Sequence, residues 1–236
     1  HLVFGFRYCK SGITNSRCGI HIHLDGADHT ARSIRNFINI IASKNDLFYK
    51  ALAIETARMD FCKRLDTRLV FDMNRKKPAT LSAIADIWYD GYSTEMRERH
   101  YHSSRYHFLN LHSFFTGNHT VELRGFNSTL HAGVVRSYIV LALAINHQAL
   151  TQKSASARAN QTENEKFAMR TYLNRLGLIG DEFKNAASTS VKTLTGVQRG
   201  ASEDPLTGGA RRSLKLKGEY KMKEKLYLAY GSNLNI

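Results

Sequence analysis

The stretch Thr120-Val-Glu-Leu-Arg-Gly-Phe-Asn127 decides the fold of this chain. Alternate side chains of a β-strand point to opposite faces of its sheet. The stretch therefore predicts a strand with Val121 and Leu123 on one face and Glu122 and Arg124 on the other. The first face is suited to packing in a core. The second presents a carboxylate beside a guanidinium group.

A second stretch, Cys18-Gly-Ile-His-Ile-His-Leu-Asp25, follows the same alternation. Its two isoleucines and its leucine take the packing face, while His21 and His23 share the polar face and Asp25 follows on it. Two strands backed by apolar residues thus present two imidazoles, a carboxylate and a guanidinium. Such groups are suited to holding a metal ion and an anion.

Apolar residues at helical spacing surround the two strands. The predicted helices run from His29 to about Ser43 behind an Asp28 cap, from Asn45 or Asp46 to about Leu65, from Thr80 to Trp88, and from about Leu130 to Ala149 behind a Ser128 cap. A short strand is predicted within residues 106–112. The pattern is typical of an α+β fold, in which helices pack on a mainly antiparallel sheet.

Length and charge set the outer limits of function. The 236 residues allow one sizeable domain or two small ones, and the formal net charge of +14 favours anionic partners such as nucleotides, nucleic acid or acidic cell-surface polymers. The longest apolar run, Tyr138 to Ile145, is far shorter than the roughly 20 residues of a membrane span. The spacing of Cys9, Cys18 and Cys62 matches neither a disulfide framework nor a metal-binding motif. We therefore expect the protein to be located in the reducing cytoplasm.

Both stretches resemble strands of known ligases. Gly19-Ile-His-Ile-His23 resembles the Gly-Met-His-x-His strand of glutamine synthetases, and Val121-Glu-Leu-Arg-Gly-Phe126 resembles their Ile-Glu-x-Arg-Phe strand. A fuller resemblance is to the phage- and plasmid-associated amidoligases, a branch of the carboxylate–amine ligases with a glutamine-synthetase-like fold. The motifs that carry it are Arg105-Tyr106, Leu109-Asn110-Leu111, Glu122-Leu-Arg124, Phe126-Asn127 and Thr129-Leu130. The resemblance covers residues 1–196, of which 161–196 resemble the family's C-terminal helical part.

The resemblance implies ATP-dependent carboxylate–amine ligation through an acyl phosphate, with Mg²⁺ or Mn²⁺ as the metal. It implies that His21 and Glu122 share the metal ion and that His23 contacts the nucleotide phosphates. Amino-acid, peptide or cell-wall-derived carboxylates and amines are the implied substrates. No membrane or nucleic-acid partner is expected, and the oligomeric state stays open.

The resemblance also implies roles for two guanidinium groups and one amide. Arg124 would neutralise the transferring phosphoryl group or the substrate carboxylate, and Arg105 would do similar work from a neighbouring strand. Asn110 would contact substrate or nucleotide. Charge neutralisation of this kind is what phosphoryl transfer requires.

The N-terminus departs from the family pattern. These ligases carry a Glu-x-Glu strand before the His-x-His strand, whereas residues 1–17 contain no acidic residue. We therefore expect that this portion of the ligase is missing from the chain. We further expect that the 236 residues alone bind metal–nucleotide poorly and form no amide bond.

The C-terminus resembles a different family. Leu226-Tyr-Leu-Ala-Tyr-Gly-Ser-Asn-Leu234 is similar to the first strand and loop of gamma-glutamylcyclotransferases, with Tyr230, Gly231, Ser232 and Asn233 as the substrate loop. The family's catalytic acid lies further downstream than Ile236, so we expect no cyclotransferase activity. Residues 197–221 are predicted to form a flexible basic linker, and residues 222–236 an incomplete second domain.

Other interpretations of the same residues stay open. His21, His23 and Glu122 match the two-His, one-carboxylate ligand set of a zinc-dependent hydrolase. Glu122 and Arg124 also fit a salt-bridged pair on a solvated sheet face. The cations and aromatic residues within 97–107 resemble those of a non-catalytic nucleic-acid-binding module.

Overall fold

The computed structural model describes residues 14–90, 92–159 and 164–178 in full, and the backbone of residues 227–231. This part of the chain forms an α+β fold around one antiparallel sheet with the order β2-β3-β1-β4. The strands are β1 (Gly19–Asp25), β2 (Leu109–Asn110), β3 (Thr120–Asn127) and β4 (Tyr227–Gly231). The predicted linker at 197–221 lies outside the described residues, as does most of 222–236.

Seven α-helices and two 3-10 turns lie in the described part of the chain. The helices are α1 (Ala31–Ala51), α2 (Thr67–Lys76), α3 (Leu81–Trp88), α4 (Thr94–Arg97), α5 (His112–Phe115), α6 (Ala132–Thr151) and α7 (Glu165–Arg175). The 3-10 turns are Thr56–Arg58 and Ser103–Arg105. No helix among the described residues has both the length and the apolar character needed to cross a bilayer.

The core lies between the apolar side of the sheet and the two long helices, α1 and α6, which pack against each other. The predicted apolar side chains of β1 and β3 are fully buried, as are those of the predicted stripe on α1. The stripe consists of Ile34, Phe37, Ile38 and Ile41. Both strands and the helix therefore take the orientation that their periodicity predicts.

The prediction of two helices between residues 29 and 65 is wrong. The first helix, α1, runs without a break to Ala51, because Phe48 and Tyr49 continue its buried stripe past the expected cap at Asn45 or Asp46. Its N-cap is Thr30 rather than Asp28: the Thr30 hydroxyl accepts the Ser33 amide in a capping box.

Three further boundaries differ from the prediction. The second helix, α2, begins behind the Asp66 cap, just after the point where the predicted helix was to end. The cap of α6 is His131, whose Nδ1 accepts the Val134 amide, rather than Ser128. The strand predicted within 106–112 is reduced to β2, since the chain turns into α5 directly after Leu111. The helix predicted from Thr80 to Trp88 is confirmed as α3, with Thr80 as its N-cap.

The pairing of β1 with β3 contains a bulge beside the polar residues. Ile20 lies opposite Phe126 and Ile22 opposite Leu123, so one residue of β1, His21, lies opposite two residues of β3, Arg124 and Gly125. The bulge lets Leu123 and Phe126 both face the core although they are three positions apart.

Candidate active site

The polar faces of β1 and β3 bring the predicted site residues together around one buried carboxylate. Glu122 is 2% exposed and lies opposite His23 in the antiparallel register. Asn110 of β2 lies on its other side. We refer to these residues as the Glu122 cluster: His21, His23, Asn110, Glu122 and Arg124.

The two oxygens of Glu122 have different neighbours. Oε1 accepts a 2.8 Å hydrogen bond from Nη1 of Arg124 and lies 3.0 Å from Nδ1 of His21 and 3.7 Å from Nε2 of His23. Oε2 accepts a hydrogen bond from Nδ2 of Asn110. Each oxygen of a carboxylate has two lone pairs, so Oε2 keeps acceptor capacity for a further partner.

The electrostatics of the cluster keep the carboxylate ionised. Burial by itself would raise the pKa of Glu122, but the hydrogen bond with His21 and the charge of Arg124 outweigh it and hold the pKa well below its usual range. Burial is also the largest influence on both histidines, and it lowers the pKa of His21 and of His23. Near neutral pH the cluster therefore holds Glu122⁻, Arg124⁺ and two neutral imidazoles.

This burial excludes one of the alternative interpretations. Arg124, like Glu122, is only 2% exposed. The pair is therefore not a salt bridge on a solvated sheet face. Burying two ions costs several kcal/mol for each unless their remaining polar atoms are bonded. Here Glu122 is bonded through both oxygens and Arg124 through Nη1 and Nε.

Asn110 holds the carboxylate in place. Its Oδ1 accepts the backbone N–H of His112 at 2.7 Å, which leaves its Nδ2 to donate to Glu122. The side chain is 1% exposed. In the described arrangement the amide therefore orients Glu122, and its predicted contact with substrate or nucleotide stays a prediction.

Arg105 lies beside the cluster but not on a strand. It ends the 3-10 turn Ser103–Arg105, and its Nη1 donates to the His100 carbonyl at 2.8 Å. Its guanidinium carbon lies 5.9 Å from the centroid of the Tyr106 ring, and that of Arg124 lies 5.7 Å from the same ring. The predicted strand position of Arg105 is wrong, but both predicted anion-binding guanidinium groups do meet at one aromatic side chain.

His21 and Glu122 fit a shared divalent cation as two of its ligands. Ligands of Mg²⁺ that lie about 2.1 Å from the ion and about 90° apart are about 3.0 Å from each other. His21 Nδ1 and Glu122 Oε1 have that separation, 3.0 Å, and the hydrogen bond that joins them in this structure is the contact that a bound cation would replace. Within the described residues, however, no group of three or more His, Cys, Asp or Glu side chains is arranged to hold a metal ion. The geometry thus supplies a partial site rather than the three-ligand zinc site of a hydrolase.

The basic segment 97–107 makes mostly internal contacts. Arg97 pairs with Asp86 at 2.6 Å, and Arg105 bonds the backbone of its own turn. His102 is 5% exposed and stacks on the buried His112. Three consecutive residues, Arg99, His100 and Tyr101, stay exposed, and Tyr101 is 74% exposed. Among the described residues of this segment, the basic and aromatic surface that single-stranded nucleic acid would need is centred on that short stretch.

Sequence reasoning missed one residue on the polar face. Arg58 is 1% exposed, and its guanidinium group lies directly against Gly19 of β1. Nη2 donates to the Arg124 carbonyl at 2.6 Å, and Nη1 donates to Oδ1 of Asn127 at 3.1 Å. The local sequence around Arg58 carries no motif. The only available signal was Gly19, since a glycine inside a strand often marks a close approach.

The C-terminal candidate loop is described only in part. Tyr230 and Gly231 belong to β4, which pairs antiparallel with β1 from Gly19 to His23. Ser232 and Asn233 lie outside the described residues. The predicted resemblance of this loop to a cyclotransferase stays a prediction.

Comparison with known proteins identifies the family. A family model described as "putative amidoligase enzyme" matches residues 7–146, which is more than half of the chain and includes all of the Glu122 cluster. No curated protein and no solved structure matches the chain.

Proposed function

The chain belongs to the amidoligase family, and on that premise we propose that it is an ATP-dependent carboxylate–amine ligase whose active site is the Glu122 cluster. We further propose that it is of the phage- and plasmid-associated type, with a glutamine-synthetase-like catalytic fold. The observation that carries the proposal is the meeting of His21, His23 and Arg124 at one buried carboxylate.

The proposed reaction has two steps. A substrate carboxylate oxygen attacks the γ-phosphorus of ATP, the bond to the bridging oxygen breaks, and ADP leaves. The amine then attacks the acyl carbon of the resulting acyl phosphate, the C–O bond breaks, and inorganic phosphate leaves as the amine loses a proton. The oxygen of a free carboxylate is a poor leaving group, whereas phosphate is a good one. The first step therefore makes the second possible, which is why ATP is needed.

The cluster supplies the charges that these steps require. Arg124 is fixed by Glu122 and by the backbone of Phe61, so its cation is already in position when negative charge builds up on the phosphoryl oxygens. Arg105, whose guanidinium carbon lies 5.9 Å from the ring of Tyr106 that Arg124 also approaches, adds a second cation. His23, whose Nδ1 bonds the Thr120 hydroxyl at 2.9 Å, presents its other nitrogen toward the cluster for nucleotide phosphate.

His21 and Glu122 would hold Mg²⁺, or Mn²⁺ in its place. When bound, the metal ion neutralises charge on the phosphates of the nucleotide. Mg²⁺ usually keeps several water or substrate ligands beside one or two from the protein. Two protein ligands in the cluster are therefore compatible with a cation that arrives with ATP.

The substrates we propose are anionic or zwitterionic: amino acids, peptides or cell-wall fragments. Arg58, Arg105 and Arg124 outnumber the single carboxylate of Glu122 in this region, and the whole chain carries a net charge of +14. This positive excess favours the approach of ATP and of a carboxylate. We place the reaction in the cytoplasm, where ATP is available.

An amine-dependent ADP-release assay tests the proposal. The protein is expressed from its complete reading frame and incubated with ATP, MgCl₂, and amino acids or a peptidoglycan digest as carboxylate source. Hydroxylamine serves as the amine, because it traps an acyl phosphate as a hydroxamate. We expect ADP and hydroxamate in equal amounts. ADP release that is unchanged when both carboxylate and hydroxylamine are omitted would refute the proposal, since it would indicate a simple ATPase.

A further inference from the structure

The bulge in β3 contacts a buried cation, the guanidinium group of Arg58. Arg58 is 1% exposed, yet both of its terminal nitrogens donate to neutral acceptors, the Arg124 carbonyl and the side chain of Asn127. Within the described residues, no carboxylate pairs with it. A buried guanidinium without a carboxylate partner is costly. Such a group is retained in a fold only if its hydrogen bonds do something that an apolar side chain could not do.

Those hydrogen bonds satisfy backbone that the bulge disrupts. A β-bulge leaves one residue unpaired in the ladder between two strands, and here Arg124 and Gly125 occupy that place opposite His21. The Arg124 N–H donates to the Phe108 carbonyl at 2.8 Å. Its carbonyl accepts from Nη2 of Arg58 at 2.6 Å. In a regular antiparallel pair the Phe108 N–H would donate back to this carbonyl, but it donates to the Lys63 carbonyl at 2.8 Å instead. Arg58 thus supplies the donor that the neighbouring strand does not provide.

A second bond ties the same strand to the turn that carries Arg58. Asn127 accepts from Arg58 through Oδ1, and its Nδ2 donates to the carbonyls of Leu52 and Ala53. The segment from Leu52 to Arg58 is therefore fixed to the end of β3 at several points. The arrangement holds the bulge from outside the sheet.

Gly19 makes room for this contact. A Cβ atom at position 19 would lie 2.2 Å from Nη2 and 2.7 Å from Cζ of Arg58, which is closer than any real contact allows. The guanidinium group of Arg58 can therefore approach β1 this closely because residue 19 has no side chain. The contact depends on two residues that are far apart in the sequence.

We infer that Arg58 is a positioning residue for Arg124. By holding the Arg124 carbonyl, it fixes the bulge in the conformation that directs the Arg124 guanidinium onto Glu122. The part of this inference that concerns catalysis rests on the proposed function: Arg124 would lose its alignment with the transferring phosphoryl group if Arg58 were removed. The part that concerns the bulge does not depend on any activity.

The test compares three variants of the protein expressed from its complete reading frame. Arg58→Met keeps the length of the side chain but removes its donors. Arg58→Lys keeps the charge but cannot bridge two acceptors. Arg32→Met is the matched control, since Arg32 is an exposed arginine on α1. The first readout is hydrogen exchange of the Arg124 amide by NMR, with Ile22 and Leu24 amides as internal references. The second is the separate measurement of kcat and KM for ATP.

We expect exchange of the Arg124 amide to quicken at least about tenfold in Arg58→Met, because a bulge without its outer partner opens more often. The reference amides and the Arg32→Met control should not change. We expect kcat to fall by about 10²-fold, with KM for ATP changed much less, because misplacement of a group by about 1 Å has that effect on the chemical step. In Arg58→Lys, both the exchange rate of the Arg124 amide and kcat should lie between those of the wild type and those of Arg58→Met. This variant provides the test if Arg58→Met does not fold.

Two results would overturn the inference. One is unchanged exchange at Arg124 in a folded Arg58→Met or Arg58→Lys variant. The other is faster exchange with kcat intact, which would make Arg58 purely structural. If the wild-type protein forms no amide at all, the proposed function fails instead, and the exchange measurement still decides whether Arg58 holds the bulge.

Discussion

At the scale of single residues, the chemistry of this chain centres on Glu122. One carboxylate contacts two imidazoles, a guanidinium group and an amide, and all of these groups are largely buried. Any substitution of Glu122 therefore has two consequences. It removes a proposed metal ligand, and it leaves the buried charge of Arg124 without its counterion.

Glu122→Gln should therefore reduce both activity and stability. We expect turnover to fall by at least about 10²-fold and the free energy of unfolding to fall by about 3–5 kcal/mol, the usual result of breaking a buried ion pair. Urea titration and the ligase assay measure the two effects. Glu165→Gln is the control, because its pair with Lys50 lies at the surface, with side chains 34% and 58% exposed, and should contribute less than about 1 kcal/mol. Full turnover in Glu122→Gln would contradict the assignment of the site.

The strand alternation of a few residues was enough to predict the cluster, but not Arg58. His21, His23, Glu122 and Arg124 lie on strands, where spacing alone decides which face a side chain takes. Arg58 reaches the cluster from an irregular turn, and its position depends on tertiary contacts with Gly19 and Asn127. No local pattern encodes such a contact.

At the scale of elements, the differences between prediction and structure lie at helix ends. Asn45 and Asp46 are good cap residues, yet α1 continues through them because the burial of Phe48 outweighs local capping preference. Where several residues near a helix start are good caps, the prediction chose the wrong one. At the start of α1 it named Asp28, whereas the structure has Thr30. The strands β1 and β3 were predicted well, since alternation puts their apolar side chains on one buried face. The strand predicted within 106–112 is the exception, because only Leu109–Asn110 pairs with β3.

The start of α1 offers a direct test of which residue caps it. Thr30→Ala should lower the free energy of unfolding by about 1 kcal/mol, because the Ser33 amide loses its acceptor. Asp28→Ala is the matched control and should change stability by no more than a few tenths. Thermal or urea unfolding distinguishes the two. Equal effects, or a larger effect at Asp28, would favour the cap that the sequence predicts.

The bulge in β3 offers a second test at this scale. A Cβ atom at position 125 would lie 2.0 Å from Cε2 of Phe108, a ring that is 1% exposed. Gly125→Ala should therefore destabilise the fold by about 1–3 kcal/mol through overpacking. Adding Phe108→Leu should cost less in the Gly125→Ala background than in the wild type, since the smaller side chain makes room. Strict additivity in this double-mutant cycle would contradict the proposed contact.

At the scale of the whole molecule, buried histidines make stability depend on pH. Among the described residues, six histidines have a pKa below the ordinary value, and burial is the largest cause in each: His21, His23, His29, His102, His107 and His112. Between the ordinary pKa of about 6.5 and the lower folded values, the unfolded chain binds more protons than the folded one. Their contribution to stability is therefore complete above pH 6.5 or so and is lost as the pH falls below it.

We expect the free energy of unfolding to decrease as the pH is lowered from about 7.5 to about 5.0. This range lies above the titration of ordinary carboxylates, so the histidines dominate it. Urea titrations at several pH values measure the slope. When the titrations are repeated in about 1 M NaCl, which screens surface charges, most of the dependence of the free energy of unfolding on pH should remain. A stability that is constant or rises toward pH 5 would contradict the burial of these imidazoles in neutral form.

The measurement that tests the central claim most directly is transfer of an isotope label. The protein from its complete reading frame is given ATP, MgCl₂, an amine and a substrate whose carboxylate carries ¹⁸O at both oxygens. If the cluster catalyses ligation through an acyl phosphate, one ¹⁸O atom per amide bond formed must appear in inorganic phosphate, and Glu122→Gln must abolish the transfer. Amide formation that leaves the phosphate unlabelled, or no amide formation with any of the substrates offered, would contradict this account.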